Sequence, residues 1–289
     1  MRRHSLAGLA AGLAAASIWG GMYVVSKVVL GVIPPFALLT TRLLLGSLAL
    51  GAVIAFRPKA RLTKRQVWQL LAVGVVGYGI SLSFQFVGTR LSTASNGALV
   101  TSATPVFVLL FAPLLLGEKA TLRGVTAMAV ASLGVLAVID PRTAELSSSL
   151  FVGNLCLLAA ALTWALYSVL VRKVTRSTGV LTATAIMLLG GLPVSAPVGL
   201  WEISTQRIGT MTPGIVVGVL FIGIVCTAIA MFLWNYAFSE LPAAVASLTF
   251  FAQPVVGTLL GWFFLGEAIT PLFLLGGVLI GIGIVVANR

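Results

Sequence analysis

The sequence predicts an all-α integral membrane protein of ten transmembrane helices, built as two inverted five-helix repeats with both termini cytoplasmic. Three observations carry that expectation. Hydrophobic residues make up 59% of the chain and charged residues only 8%, at a mean hydropathy of +1.13, whereas soluble domains carry about 25% charged residues. The apolar residues fall in long runs, many near the roughly 20 residues that a helix needs to cross a bilayer. The two halves of the chain also resemble each other.

The runs are Leu6 to Leu30, Phe36 to Phe56, Trp68 to Val87, Ala94 to Leu116 and Gly124 to Ile139 in the first half. Leu150 to Val171, Val180 to Trp201, Gly214 to Phe238, Ala243 to Leu265 and Leu272 to Ala287 follow in the second. The first run, behind Arg2 and Arg3, is too long for the apolar segment of a signal peptide, and further runs follow it, so it reads as a span. Backbone groups in hydrocarbon must be paired within the protein, which leaves helices or a closed barrel. Barrel strands alternate apolar and polar residues, and these runs do not. Prolines at 34, 35, 58, 141, 213, 242 and 271 stand near run ends, where they cost a helix least.

Basic residues set the orientation, since cytoplasmic loops hold the excess of Lys and Arg. With a cytoplasmic N-terminus, one side receives Arg2, Arg3, Arg57, Lys59, Arg61, Lys64, Arg65, Lys119, Arg123, Arg172, Lys173, Arg176 and Arg289. The other receives Arg90, Arg142 and Arg207, and Lys27 and Arg42 lie within spans. A net charge of +12 would suit nucleic acid if it formed a patch on a soluble domain. Here it punctuates apolar runs, so the expected partners are the lipid bilayer and a small-molecule substrate, with no nucleic acid.

The repeat is read at fixed offsets. Pro105, Leu116-Gly117-Glu118, Thr121 and Gly134 match Pro254, Leu265-Gly266-Glu267, Thr270 and Gly283, each 149 positions on. Gly8, Ala14-Ala15-Ala16, Trp19 and Lys27 match Gly153, Ala159-Ala160-Ala161, Trp164 and Arg172, each 145 positions on. The expected units are residues 1–145 and 146–289. Five spans per unit place the units in opposite orientations, the plan of secondary transporters whose site lies near midplane between the halves.

These residues resemble the EamA-type members of the drug/metabolite transporter superfamily over essentially the whole chain. The doubled Leu-Gly-Glu with its prolines carries the resemblance, together with Ser17-Ile18-Trp19-Gly20 and Leu162-Thr163-Trp164-Ala165, Arg42 after a proline turn, and Asn235-Tyr236-Ala237 before Pro242-Ala243-Ala244. Within that family the chain looks most like bacterial amino-acid exporters, including the aromatic amino-acid group. The resemblance implies an efflux carrier of the bacterial inner membrane and no enzymatic activity. Purine-like metabolites and nucleotide sugars are the alternative cargoes. A nucleotide sugar would call for several buried cations, and only Arg42 and Lys27 qualify.

Near the predicted midplane stand Trp19, Tyr78, Thr101, Ser102, Thr104, Trp164, Tyr167, Thr227 and Gln253, from both halves. Polar groups at that depth bond neighbouring helices or face a water-filled cavity, and Trp or Tyr offers a ligand an apolar face with one donor. The candidate substrate-binding residues are therefore Trp19, Tyr78, Thr101, Ser102, Trp164, Tyr167, Gln253 and Arg42, with helix packing as the competing role for each. Arg42, about 12 Å into the bilayer at 1.5 Å per residue from Pro34, must bond carbonyls, neighbouring spans or a substrate carboxylate. Lys27 is close enough to its span end to snorkel. Glu118 and Glu267 precede helix starts marked by Thr121 and Thr270, so a capping role competes with a transport role.

The six acids, Glu118, Asp140, Glu145, Glu202, Glu240 and Glu267, fall at predicted loops or run ends, and the one histidine is His4. No nucleophile with an adjacent base, metal-ligand cluster or Walker-type loop is present, so no cofactor or metal is expected and a membrane-embedded enzyme is the weaker alternative. Coupling to protons through a buried carboxylate is likewise not expected.

Overall fold

The computed structural model describes residues 5–57, 62–92, 97, 100–119, 121–139, 150–175, 178–265 and 271–288. Among the described residues its regular structure is all helical, with no strand. The helices are α1 (Leu6–Leu30), α2 (Pro35–Ala55), α3 (Lys64–Leu91), α4 (Thr104–Leu116), α5 (Leu122–Ile139), α6 (Phe151–Thr175), α7 (Val180–Thr205), α8 (Pro213–Glu240), α9 (residues 243–265) and α10 (Pro271–Asn288). Six of them, α1, α2, α3, α6, α7 and α8, are long and apolar enough to cross a bilayer, and α4, α5, α9 and α10 are shorter apolar helices. Large apolar side chains face outward, Leu48, Leu114 and Leu200 among them, as they do where the surroundings are lipid.

Local chemistry explains the ends. α1 starts where the Ser5 hydroxyl accepts the Gly8 N–H at 3.1 Å, and α2 opens on Pro35, whose missing N–H costs nothing in a first turn. α3 begins at Lys64, earlier than its apolar run, because Thr63 and Gln66 cap one another's backbone there. α4 ends on Gly117 at φ 66°, a left-handed conformation that glycine adopts without a Cβ penalty. Thr121 and Thr212 accept the Gly124 and Ile215 N–H groups at the starts of α5 and α8. Thr270 and Glu267 lie outside the described residues.

Two helices depart from α geometry at matching places. α3 widens to a π-helix over Val75–Ser81 and α8 over Phe221–Ile229, a device frequent at functional sites. α9 tightens at Thr249–Phe251 into a 3₁₀ turn between Ala243–Leu248 and Ala252–Leu265. The main core joins α1, α2, α3, α4, α6, α7, α8 and the first part of α9. α5 and α10 pack on each other at its flank, with Ala127, Met128, Ala131 and Ile280 in a small cluster that also takes Leu248 and Phe251 of α9. Gly134 lies against the Gly276 carbonyl and Gly283 against that of Ala127, close enough that an added Cβ would stand 2.7 and 2.8 Å from those oxygens.

Candidate functional site

A narrow cavity opens in the middle of the bundle. Trp19 and Met22 of α1, Ser81, Leu82 and Gln85 of α3, and Thr101 with Thr104 line it from the first half; Ala160, Ala161 and Trp164 of α6, Met231 of α8, and Phe250 with Gln253 of α9 line it from the second. The cavity is only ≈ 20 Å³ in volume, room for little more than one water. Ligand pockets run to about 300–1,000 Å³, so a metabolite enters only if the walls part.

The aromatic wall is continuous. The Trp19 and Trp164 rings meet edge to face at 5.6 Å and 82°, and Trp19 approaches Trp234 at 5.4 Å and Phe250 at 6.2 Å. Such pairs are favourable beyond the area they bury. Trp19 donates through Nε1 to the Cys226 carbonyl at 3.0 Å, which lies in the π segment of α8. Trp234 donates to Ser168 at 3.0 Å. The indole N–H of Trp164 has no hydrogen-bond partner among the described residues.

Of the eight candidates from the sequence, Trp19, Thr101, Trp164 and Gln253 line the cavity. Ser102, beside Thr101, is buried but is not among the lining residues. Tyr78 and Tyr167 stand one layer behind, fully buried, their hydroxyls bonded to each other. Tyr167 also donates to Asn235 Oδ1 at 2.7 Å, while Asn235 Nδ2 donates to Tyr78 at 3.1 Å and to Thr184 at 2.9 Å. This closed set joins α3, α6, α7 and α8. The Gly77 Cα comes so close to the Tyr167 ring that a Cβ would lie 2.2 Å from it, and that absent side chain lets the tyrosine in.

Arg42 is fully buried. Its Nε donates to Thr227 Oγ1 at 2.8 Å, its Nη2 to the Cys226 carbonyl at 3.4 Å, and its guanidinium carbon stands 5.2 Å from the centroid of the Phe86 ring. Among the described residues Nη1 has no partner and no acid pairs with this cation. Thr227 in turn donates to the Ile222 carbonyl, five residues back, at 2.7 Å, so the π turn orients the group that holds Arg42. The Cys226 carbonyl is thus shared by Trp19 in the cavity wall and Arg42 behind it.

Gln85 was not legible as a site residue, although it lines the cavity. Its Nε2 donates to Tyr23 Oη at 2.9 Å, and Tyr23 Oη lies 2.9 Å from Thr101 Oγ1. In the sequence it is a lone polar residue near the end of an apolar run, indistinguishable from a helix-packing contact.

Two cations bind helix C-termini in the same way. Lys27 Nζ donates to the carbonyls of Thr89 at 2.9 Å, Arg90 at 3.1 Å and Ser92 at the C-terminus of α3. Arg172 Nη1 donates to those of Phe238 at 2.9 Å, Ser239 at 3.5 Å and Leu241 at the C-terminus of α8. Each acceptor stands 149 positions from its counterpart: 89 and 238, 90 and 239, 92 and 241. A positive group there also meets the negative end of the helix dipole. Lys27 therefore binds carbonyls rather than snorkelling free. Glu118 completes the second arrangement, pairing with Arg172 Nε at 2.7 Å and accepting the Ala243 N–H at the start of α9 at 2.9 Å.

The chain is similar to known proteins along its whole length. The profile of the EamA-like transporter family matches residues 6–139 and 151–289. The uncharacterized transporter YcxC of Bacillus subtilis is 27% identical over 280 residues, which cover 94% of this chain and 89% of that one. An uncharacterized transporter of Archaeoglobus fulgidus is 25% identical over 264 residues, 91% of this chain and 90% of the other. A solved crystal structure of a protein 22% identical in sequence superposes with a TM-score of 0.80 over 97% of this chain and 96% of that chain, so the fold is shared.

Proposed function

The chain belongs to the EamA-like transporter family, a multi-pass membrane transporter rather than an enzyme, and from that premise we propose that it exports amino acids or amphipathic metabolites of similar size. The cavity between the halves carries the reading. It is lined from residues 1–145 and 146–289 alike, walled by aromatic faces and edged with a few amide and hydroxyl groups, a lining that suits a small solute with one apolar and one polar end. Ten crossings, with the second five-helix repeat inverted against the first and both termini in the cytoplasm of a bacterial inner membrane, would let the halves expose that cavity to each side in turn. The narrow form described above is then a state between openings.

The assignment is tested in proteoliposomes with a panel of labelled amino acids. Uptake of at least one is expected, reduced at least tenfold by Trp19→Ala and by Trp164→Ala. If both variants keep wild-type rate and selectivity, the cavity is not the transport site. A C-terminal reporter fusion is expected on the cytoplasmic side; a periplasmic signal would overturn the proposed orientation.

A further inference from the structure

Among the described residues, three buried polar atoms of cavity-lining side chains make no hydrogen bond of ordinary length: Trp164 Nε1, Gln253 Nε2 and Gln85 Oε1. The Gln253 amide faces the Tyr23 hydroxyl, and its second N–H stays free for a ligand. Trp164 is 7% and Gln253 2% exposed, so each unmade bond is costly unless a ligand makes it. An indole N–H is only a donor. The Gln85 amide is oriented by a chain that begins at a backbone carbonyl. Thr101 must donate to the Gly97 carbonyl at 2.6 Å, so its oxygen accepts from Tyr23. Tyr23 has then used its single proton, so its oxygen accepts from Gln85 Nε2. Gln85 Oε1 is left as an acceptor. The free set is two donors and one acceptor, and no lining residue carries a charge.

We propose that the cavity reads an α-amino carboxylate through neutral dipoles: the Trp164 and Gln253 N–H groups take the carboxylate and Gln85 Oε1 takes the ammonium. Arg42, behind Trp19 and without an acidic partner among the described residues, makes the carboxylate the dominant end. Its positive potential favours the anion and disfavours a cation from behind the wall, where Arg42 and Trp19 donate to the same Cys226 carbonyl. The proposal rests on the amino-acid reading above and adds which end of the molecule is obligatory. A solute that keeps the carboxylate and loses the amino group should bind, and one that keeps the amine and loses the carboxylate should not.

Binding is measured on purified protein by tryptophan fluorescence with L-phenylalanine, 3-phenylpropionate and phenethylamine, and with the leucine set of L-leucine, 4-methylpentanoate and isoamylamine. In at least one set the carboxylate is expected within tenfold of the amino acid and the amine at least fiftyfold weaker. Gln85→Leu should bring amino acid and carboxylate within twofold. Gln85→Glu should strengthen the amine at least tenfold, and Trp164→Phe, which keeps the ring but not the N–H, should weaken the carboxylate at least tenfold while leaving the amine unmoved. Wild-type melting temperatures identify variants that are folded. An amino acid that binds no better than its amine overturns this assignment and leaves the amino-acid reading standing. Carboxylates that bind where neither amino acid does overturn that reading and leave the carboxylate assignment.

Discussion

Arg172 Nε lies 2.7 Å from Glu118 Oε1, and this pair joins the end of α4 to α6, while the same carboxylate's other oxygen holds the first N–H of α9. Both side chains are mostly buried, at 15% and 22% exposure, so the pair is not the weak surface kind. It ties helices from the two halves at one end of the bundle, and an opening at that end must break it.

Glu118→Gln is expected to lower stability by about 1–3 kcal/mol through the loss of a charge-assisted bond, and Glu118→Ala by more, since it also frees the Ala243 N–H. Cysteines placed at the Glu118 end of the cavity should react faster with a water-soluble thiol reagent in either variant. Unchanged labelling in a folded variant would show that the pair does not hold that end shut.

Glu202 of α7 accepts the Phe36 and Ala37 N–H groups through Oε2 at 2.8 and 2.9 Å, capping α2 from another helix. Glu202→Ala should cost about 1–2 kcal/mol, the range of a lost N-cap, seen as a lower unfolding temperature in detergent. Substrate selectivity should not move, because Glu202 sits at a helix end away from the cavity lining; a changed selectivity would contradict this placement.

Gly77→Ala puts a methyl group into the Tyr167 ring, and overpacking of this kind costs about 1–3 kcal/mol or more. Gly214→Ala, whose nearest neighbour would be Thr212 Oγ1 at 3.9 Å, serves as the matched control and should be near neutral. Equal melting temperatures for the two variants would refute the close approach of α3 and α6.

Among the described residues the acids are Glu118, Glu202 and Glu240, all at or beside helix ends, and none lines the cavity. A pH gradient imposed across proteoliposomes, with no other driving force, is therefore expected to leave the transported solute at equal concentration on both sides. Accumulation above that level would place a proton-carrying group in the transport path.

The spans were legible because hydrocarbon imposes one rule on every backbone group, and α1 was read at Leu6 to Leu30, where the structure has it. α3 starts four residues before its apolar run, at Lys64 rather than Trp68. Apolar content marks where a helix enters the membrane, whereas the Thr63–Gln66 capping pair marks where it begins. The π segments carry no mark in the sequence, since Val75–Ser81 and Phe221–Ile229 read as parts of continuous apolar runs. The site divided in the same way. Trp19 and Trp164 stood out as a repeated pair, but Gln85 takes its meaning from Tyr23, Thr101 and the Gly97 carbonyl. No spacing along the chain encodes that hydrogen-bond chain.

The backbone contacts between α5 and α10 at Gly134 and Gly283 leave those helices almost no room to slide on each other. Close packing transmits displacement instead of absorbing it. The pair should therefore travel as one strut, and the separation between spin labels on their outer faces, at Val125 and Val285, should stay constant while distances across the cavity change. That gives the molecule its own ruler, against which movement of every other helix can be measured.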